Sequence, residues 1–329
     1  MRSSHKKREP VMRVLVTGGS GLIGSRLAAR LLNERKTVRL FDQRMPAGNG
    51  SSSEWIRHAE LITGDITDQD DLSKAVADVD VIVHLAYMMS EASAAEPMRA
   101  TEINVVGAAR VFEAARHAGI KRVITASSIS VFGSDADYPE SMLPLDDDAP
   151  QIGAKGIAVY AAGKIYMETL ARRYAEDFDL EVVGVRPGVV YGGTRLSGGT
   201  AFVAQYIDKA RRGEPFEIAN GSVRTPLVHV DDVAGALASF VDADSSAFAK
   251  HRFFNLAGDA CSFSELAAIL RLIFPDASII VHDGPEQGLL GMASRICDAA
   301  IENEVGFQRA LTPLRRGIEV EAVADTGAR

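Results

Sequence analysis

Only two cysteines, Cys261 and Cys297, occur in 329 residues, and they stand 36 positions apart. Without a CxxC pair there is no compact thiolate set, which argues against a structural zinc site and any other metal centre. Two reduced thiols in a cytoplasmic protein are the plain expectation. No apolar run reaches the length of a membrane span, so none is expected. Positive charge is not in excess either: the formal net charge is -8. A mildly acidic chain does not match nucleic acid or an anionic membrane. An anionic substrate would need local arginines to hold it against that field. The opening Met-Arg-Ser-Ser-His-Lys-Lys-Arg-Glu-Pro is basic but lacks the apolar core of a secretory signal. Residues 1–11 therefore read as a disordered leader, with folding expected from Met12.

What is present is ordinary globular material, 47% apolar and 24% charged, in a chain long enough for a large core. Short apolar runs read as strands at Arg13–Thr17, Val38–Phe41, Leu61–Thr63, Val79–His84, Arg122–Ala126 and Val182–Arg186. Helical patterns lie between them, including Leu22–Asn33, Asp70–Ala77, Met98–Ala118 and Tyr160–Phe178. This alternation predicts an α/β fold with a doubly wound parallel sheet covered on both faces. Gly48–Ser53 reads as a surface loop, and Gly192–Thr200 as a second loop. Beyond it come a helix at Phe202–Arg212, shorter pieces, and a final helix after Pro313. The stretch Pro226–Asp242 and the run Phe253–Leu256 are expected to return to the main sheet. No internal repeat is visible.

The strongest local signal is Val16-Thr17-Gly18-Gly19-Ser20-Gly21-Leu22-Ile23-Gly24, between a strand and a helix. Gly18 permits the sharp turn, Gly21 clears space for a pyrophosphate, and Gly24 lets helix and strand pack closely. The amides at the helix start, around Leu22 and Ile23, then face the phosphates, aided by the helix dipole. Asp42 ends the second strand, 18 residues beyond Gly24. A carboxylate there accepts from both ribose hydroxyls and repels a 2′-phosphate, which favours NAD over NADP. Arg44 is the opposing feature, and Asp42 as a simple turn residue is the alternative. Asp65 and Ile66 follow the third strand and are candidates for the adenine amino group and ring; Asp65 also suits a helix N-cap. These signals divide the chain into an NAD-binding domain over 12–187, with 226–258 returning to it, and a smaller substrate-binding region over 188–329.

Tyr160 and Lys164 are four residues apart, hence on one helical face. A tyrosine of ordinary pKa, about 10, is a poor base at neutral pH. A neighbouring ammonium and an oxidised nicotinamide both favour its phenolate, and Lys164 can also hold the ribose hydroxyls. Ala126-Ser127-Ser128-Ile129-Ser130-Val131-Phe132-Gly133 follows the fifth strand, whose C-terminal end faces the ligand crevice. A serine hydroxyl there can hold a substrate oxygen and orient the tyrosine.

With these pieces in order, the chain resembles the extended short-chain dehydrogenase/reductase family, in its epimerase/dehydratase branch. The resemblance runs from Met12 to about Ile318. It rests on Thr17–Gly24, Asp65, His84-Leu85-Ala86, Asn104-Val105-Val106-Gly107, Ser127–Gly133, Tyr160–Lys164, Arg186-Pro187-Gly188 and His229-Val230-Asp231-Asp232-Val233. It implies Tyr160 as the acid/base, Lys164 as its electrostatic partner and Ser128 as the third member. It also implies that Leu85, Ala86 and Pro187 line the cofactor cleft, and that the two long helices pair subunits in a homodimer. The family's sugar 4,6-dehydratases carry Asp-Glu after the Ser128 position, and its decarboxylases carry Glu at the Ser130 position. Ile129 and Ser130 stand there instead.

For a nucleotide sugar, the resemblance implies an arginine clamp on the diphosphate. Arg224 is the candidate, although it stands five residues before His229 where relatives have four; Arg295 is a second. Solvated surface arginines are the alternative for both. Met88 and Met89 are expected either to line a substrate pocket or to fill core space. His84 and His229 read as packed, neutral, hydrogen-bonded side chains. Three functions follow in order: an NAD-dependent epimerase of a sugar or nucleotide sugar, a net dehydrogenase or ketoreductase of a small hydroxy compound, and a non-catalytic NAD-sensing scaffold.

Overall fold

A computed structural model describes residues 11–45, 51–193, 201–284 and 288–323. The first half alternates β1 (Arg13–Thr17), α1 (Leu22–Asn33), β2 (Thr37–Asp42), β3 (Glu60–Thr63), α2 (Gln69–Ala75) and β4 (Val81–His84). It continues through α3 (Ser90–Ala95), α4 (Pro97–Thr101), α5 (Ala108–His117), β5 (Arg122–Ala126), α6 (Ala158–Phe178), β6 (Glu181–Pro187) and β7 (Val189–Tyr191). The second half adds α7 (Phe202–Arg211), β8 (Phe216–Ile218), β9 (Arg224–His229), α8 (Val230–Asp242) and β10 (Phe253–Leu256). It ends with β11 (Asp259–Ser262), α9 (Phe263–Ile273), β12 (Ile279–Val281) and α10 (Leu314–Val323).

Seven strands form one sheet in the order β10-β6-β5-β4-β1-β2-β3, and every pairing in it is parallel. The continuous apolar runs explain this arrangement, because a strand covered on both faces must be apolar on both. Leu27 and Leu31 of α1 meet Val233, Leu237 and Phe240 of α8 on one face. On the other, Leu72 of α2, Val111 and Phe112 of α5, and Met167 and Ala171 of α6 form a second core. A third core joins Ile129, Val131 and Phe132 to Leu227, Leu266, Leu270 and Ile318 in the C-terminal half. Among the described residues, no helix is long and apolar enough to cross a membrane.

Three features depart from expectation. Met98–Ala118 is not one regular helix: a π-helical stretch, Glu102–Gly107, separates α4 from α5. Within it the buried Asn104 turns toward the end of β4, accepting from the Met88 amide at 2.6 Å and donating to the Met88 carbonyl at 3.0 Å. A π-bulge of this kind re-aims a side chain without ending the helix. Second, of the stretch expected to rejoin the main sheet, only Phe253–Leu256 does so. Pro226–His229 lies in β9, between β11 and β7 in a separate three-stranded sheet, and α8 packs on the main sheet's face. Third, a 3₁₀ helix, Ser51–His58, takes in the last three residues of the loop expected over Gly48–Ser53. Residues 48–50 of that expected loop, residues 194–200 of the second loop, and residues 1–10 of the leader lie outside the described residues.

Candidate active site

A cleft of about 540 Å³ opens at the C-terminal ends of β1, β4, β5 and β6, where a doubly wound sheet places its ligands. One wall is the glycine turn. Gly18 has φ +69°, and a Cβ there would stand 2.6 Å from the Ala86 amide nitrogen. A Cβ on Gly24 would collide with the Gly18 carbonyl. Both positions therefore demand glycine, one for conformation and one for packing. Gly21 caps α1 without a side-chain hydrogen bond, and the first turn carries no acid. The positive end of this 12-residue helix is left uncapped at the cleft, where Gly21, Leu22 and Ile23 form its lining.

Ser128, Tyr160 and Lys164 line the same cleft, with Leu85, Ala86 and Pro187. α6 carries Tyr160 and Lys164 one turn apart, and the end of β5 delivers Ser128. Lys164 is almost fully buried. Its Nζ donates to the Ala126 carbonyl at 2.6 Å and stands 5.6 Å from the Tyr160 ring centroid. Burial pushes the Lys164 ammonium down to about 7, against the opposing pull of Glu168 one turn further on. Ser128 Oγ accepts from the Ser130 amide at 3.1 Å, which fixes the turn but leaves the hydroxyl hydrogen for another partner.

A profile of the NAD-dependent epimerase/dehydratase family matches residues 14–257. UDP-glucose 4-epimerase of Mycolicibacterium smegmatis is 36% identical over 251 residues, covering 74% of this chain and 76% of that protein. The chain belongs to the NAD-dependent epimerase/dehydratase family. A putative UDP-glucose 4-epimerase of Methanocaldococcus jannaschii is 27% identical over 84% of this chain and 87% of its own length. Among solved structures, the Thermus thermophilus UDP-glucose 4-epimerase complex with NAD overlays with a TM-score of 0.79 at 23% identity. It covers 94% of this chain and 98% of its own. An L-threonine dehydrogenase of Clostridium difficile gives 0.80 at 22% identity, over 95% and 98% respectively. At these identities the two structures attest the fold.

The residues present fit the dinucleotide this family uses. The uncapped N-terminus of α1 offers amides and a positive dipole to a diphosphate. Asp42 ends β2 beside the turn, its carboxylate accepting from the Ser20 amide at 3.0 Å and the Arg44 amide at 3.4 Å. Asp65 accepts from the Thr67 amide and hydroxyl, both at 2.8 Å, and from Gln43 Nε2 at 2.8 Å. The cap of α2 is Asp68, not Asp65. Ile66 is buried against Gly107. Asp42, Asp65 and Ile66 all stand outside the lining of the cleft.

The expected substrate contacts divide. Met88 is held through its backbone by Asn104, and Met89 lines the cleft in its place. Arg224 pairs with Glu265 at 3.2 Å, and Arg295 makes a two-point pair with Glu140 at 2.7 and 2.9 Å. Neither arginine lines the cleft. His84 is buried against Thr17 Oγ1 at 2.8 Å; burial first, then the Lys164 charge, pushes it down to about 3, so it is neutral. His229 accepts from the Asp231 amide through Nδ1, so its Nε2 carries the hydrogen bonded to Glu321 at 2.9 Å.

Several groups around the site escaped the sequence reading. Ser127 Oγ donates to Glu168 at 2.5 Å, tying the β5 exit to α6. Glu168 follows Lys164 by four residues, a spacing legible in advance. Tyr87, whose ring lies on Lys164, directly follows the His84-Leu85-Ala86 segment.

Proposed function

We propose that this protein is an NAD-dependent epimerase of a nucleotide sugar. In this reading Tyr160 takes the proton of a substrate hydroxyl and returns it, Lys164 stabilises the phenolate, and Ser128 hydrogen-bonds the substrate oxygen. Bound along the glycine turn, NAD supplies a reversible hydride acceptor, so that a carbinol can pass to a ketone and be restored on its other face. Asp42 selects the unphosphorylated ribose. Residues 12–187 with 226–258 serve the cofactor, and the rest of 188–329 serves the substrate.

The observation that carries the reading is the composition of the cleft. Ser128, Tyr160 and Lys164 meet in it, yet no carboxylic acid lines it among the described residues. Elimination of water and decarboxylation use such an acid in this family, whereas epimerisation needs none. The mycobacterial UDP-glucose 4-epimerase relative supports a UDP-sugar substrate. Exposed apolar residues on the two long helical stretches, among them Val106, Val159 and Tyr166, support a homodimer. Free Cys261 and Cys297 accord with a cytoplasmic location.

A second reading, net dehydrogenation of a less polar hydroxy compound, draws on two observations. Tyr87, Met89, Ile157, Leu290 and Met292 give the cleft an apolar wall, and both candidate clamp arginines are engaged by carboxylates. Incubation with NAD and candidate substrates, UDP-glucose or UDP-galactose in one set and small hydroxy compounds in another, separates the readings. Interconversion without net NADH supports the epimerase. NADH accumulating with substrate supports the dehydrogenase. Tight NAD binding with neither outcome supports a cofactor-sensing scaffold.

A further inference from the structure

Lys164 does not reach the cleft as a free, hydrated chain. Below it, the Ala126 carbonyl accepts from Nζ at 2.6 Å. Above it, the face of Tyr87 lies 3.5 Å from Nζ to the ring centroid. The same ring presents an edge-to-face contact to Tyr160, with centroids 5.3 Å apart and planes at 81°. Its hydroxyl donates to the Tyr160 main-chain carbonyl at 3.3 Å. Burial pushes the Tyr87 phenol up, so it stays a neutral donor. One side chain from the β4 exit thus touches both members of the Tyr-Lys pair.

α6 is shaped to admit that ring. A Cβ on Gly163 would collide with Tyr87 Oη, while standing 3.6 Å from Cζ, an ordinary contact distance. The glycine between Tyr160 and Lys164 therefore has a steric reason, and the reason is one oxygen atom of Tyr87.

We propose that Tyr87 is a positioning residue: its ring holds the Lys164 ammonium against the Ala126 carbonyl and beside Tyr160, and Gly163 makes room for it. The chemistry is that of a cation over the negative face of an aromatic ring, whose attraction stands in for part of the lost hydration. A lysine has a long flexible stem, so an unheld ammonium would sample many positions. The other groups facing Lys164 are Tyr160, neutral His84 and the carboxylate of Glu168. The proposal rests on the reading of Tyr160 and Lys164 as the proton-transfer pair.

The test uses full-length Tyr87→Phe, Tyr87→Leu, Gly163→Ala and the double variant Tyr87→Phe/Gly163→Ala. In protein with isotope-labelled lysine, the Lys164 ε-methylene signal, assigned with Lys164→Arg, should show an upfield ring-current displacement. That displacement should persist in Tyr87→Phe, vanish in Tyr87→Leu, weaken in Gly163→Ala and return in the double variant. On the nucleotide sugar that is turned over, Tyr87→Leu and Gly163→Ala should lose about tenfold or more in kcat, a fraction of a positioned acid–base contribution. Their dissociation constants for NAD should stay within about threefold, because the glycine turn is untouched. The double variant should recover most of the activity that Gly163→Ala loses, a rescue that a merely destabilised fold would not show. An undisplaced Lys164 signal in the wild type overturns the proposal. So does a double variant as impaired as Gly163→Ala, or full turnover in Tyr87→Leu. Turnover surviving in Tyr160→Phe refutes the underlying reading instead. The lysine signal needs no substrate and decides the placement by itself.

Discussion

Glu168 and Arg186 meet at two points, Nε to Oε1 at 2.9 Å and Nη2 to Oε2 at 2.8 Å, with both side chains buried. One residue comes from α6 and the other from β6. Ser127 and Gln151 also donate to Glu168, each at 2.5 Å. The carboxylate is therefore saturated, and the guanidinium and hydrogen bonds hold it below its ordinary value even though burial pushes the other way. The pair locks the helix bearing Tyr160 and Lys164 to β6, and the Ser127 bond ties the same carboxylate to the β5 exit bearing Ser128.

Glu168→Gln should be strongly destabilising, since it strands a buried guanidinium. The expected loss is about 3–5 kcal/mol, read as a lower urea midpoint without cofactor. Glu168→Leu combined with Arg186→Met should lose less than the single variant. A single-variant loss under about 1 kcal/mol would show that water compensates the pair.

Tyr160→Phe keeps the ring and removes the proton carrier. Turnover should fall about a hundredfold or more, while NAD binding, measured by calorimetry, stays within about threefold because the phosphate site is remote. Substantial residual turnover would mean that another group moves the proton.

Asp42 should govern the choice between NAD and NADP. Asp42→Ser removes the carboxylate that repels a 2′-phosphate and leaves Arg44 beside the site. The ratio of NADP to NAD dissociation constants should narrow by about tenfold or more, the effect of one unscreened charge near a phosphate. An unchanged ratio would return Asp42 to the role of a turn residue.

His84 makes stability depend on acid. Its folded value of about 3 lies below the ordinary 6.5, so the unfolded chain binds the extra proton between those values. Stability from this group is fully present above about pH 6.5 and is lost as pH falls toward 3. Urea midpoints at neutral pH and near pH 4.5 should therefore converge in His84→Gln relative to the wild type. If the wild type shows no acid-side loss, or the variant retains it in full, the histidine is not held neutral.

The strands and helices of the first half were legible because each depends on neighbours along the chain. Apolar runs such as Val81–His84 and the glycine turn at Gly18–Gly24 carry their cause within a few residues. The π-helical stretch before Ala108 was not legible, because it accompanies the reach of Asn104 to Met88, 16 residues back. The placement of Pro226–His229 was equally hidden: an apolar run identifies a strand but not the sheet it joins. Arg224 and Arg295 read as free cations only until Glu265 and Glu140 were brought beside them.

By itself the chain's order of residues determined a dinucleotide turn, a parallel sheet and a tyrosine four residues from a lysine, since all three follow from local spacing. Tertiary structure alone decided which side chains hold those groups in place. Tyr87 lies over Lys164 from 77 positions away, and Glu321 bonds His229 across 92. Such partners are chosen by how strands return to the sheet and where side chains are shut off from water. Spacing along one segment carries no record of either.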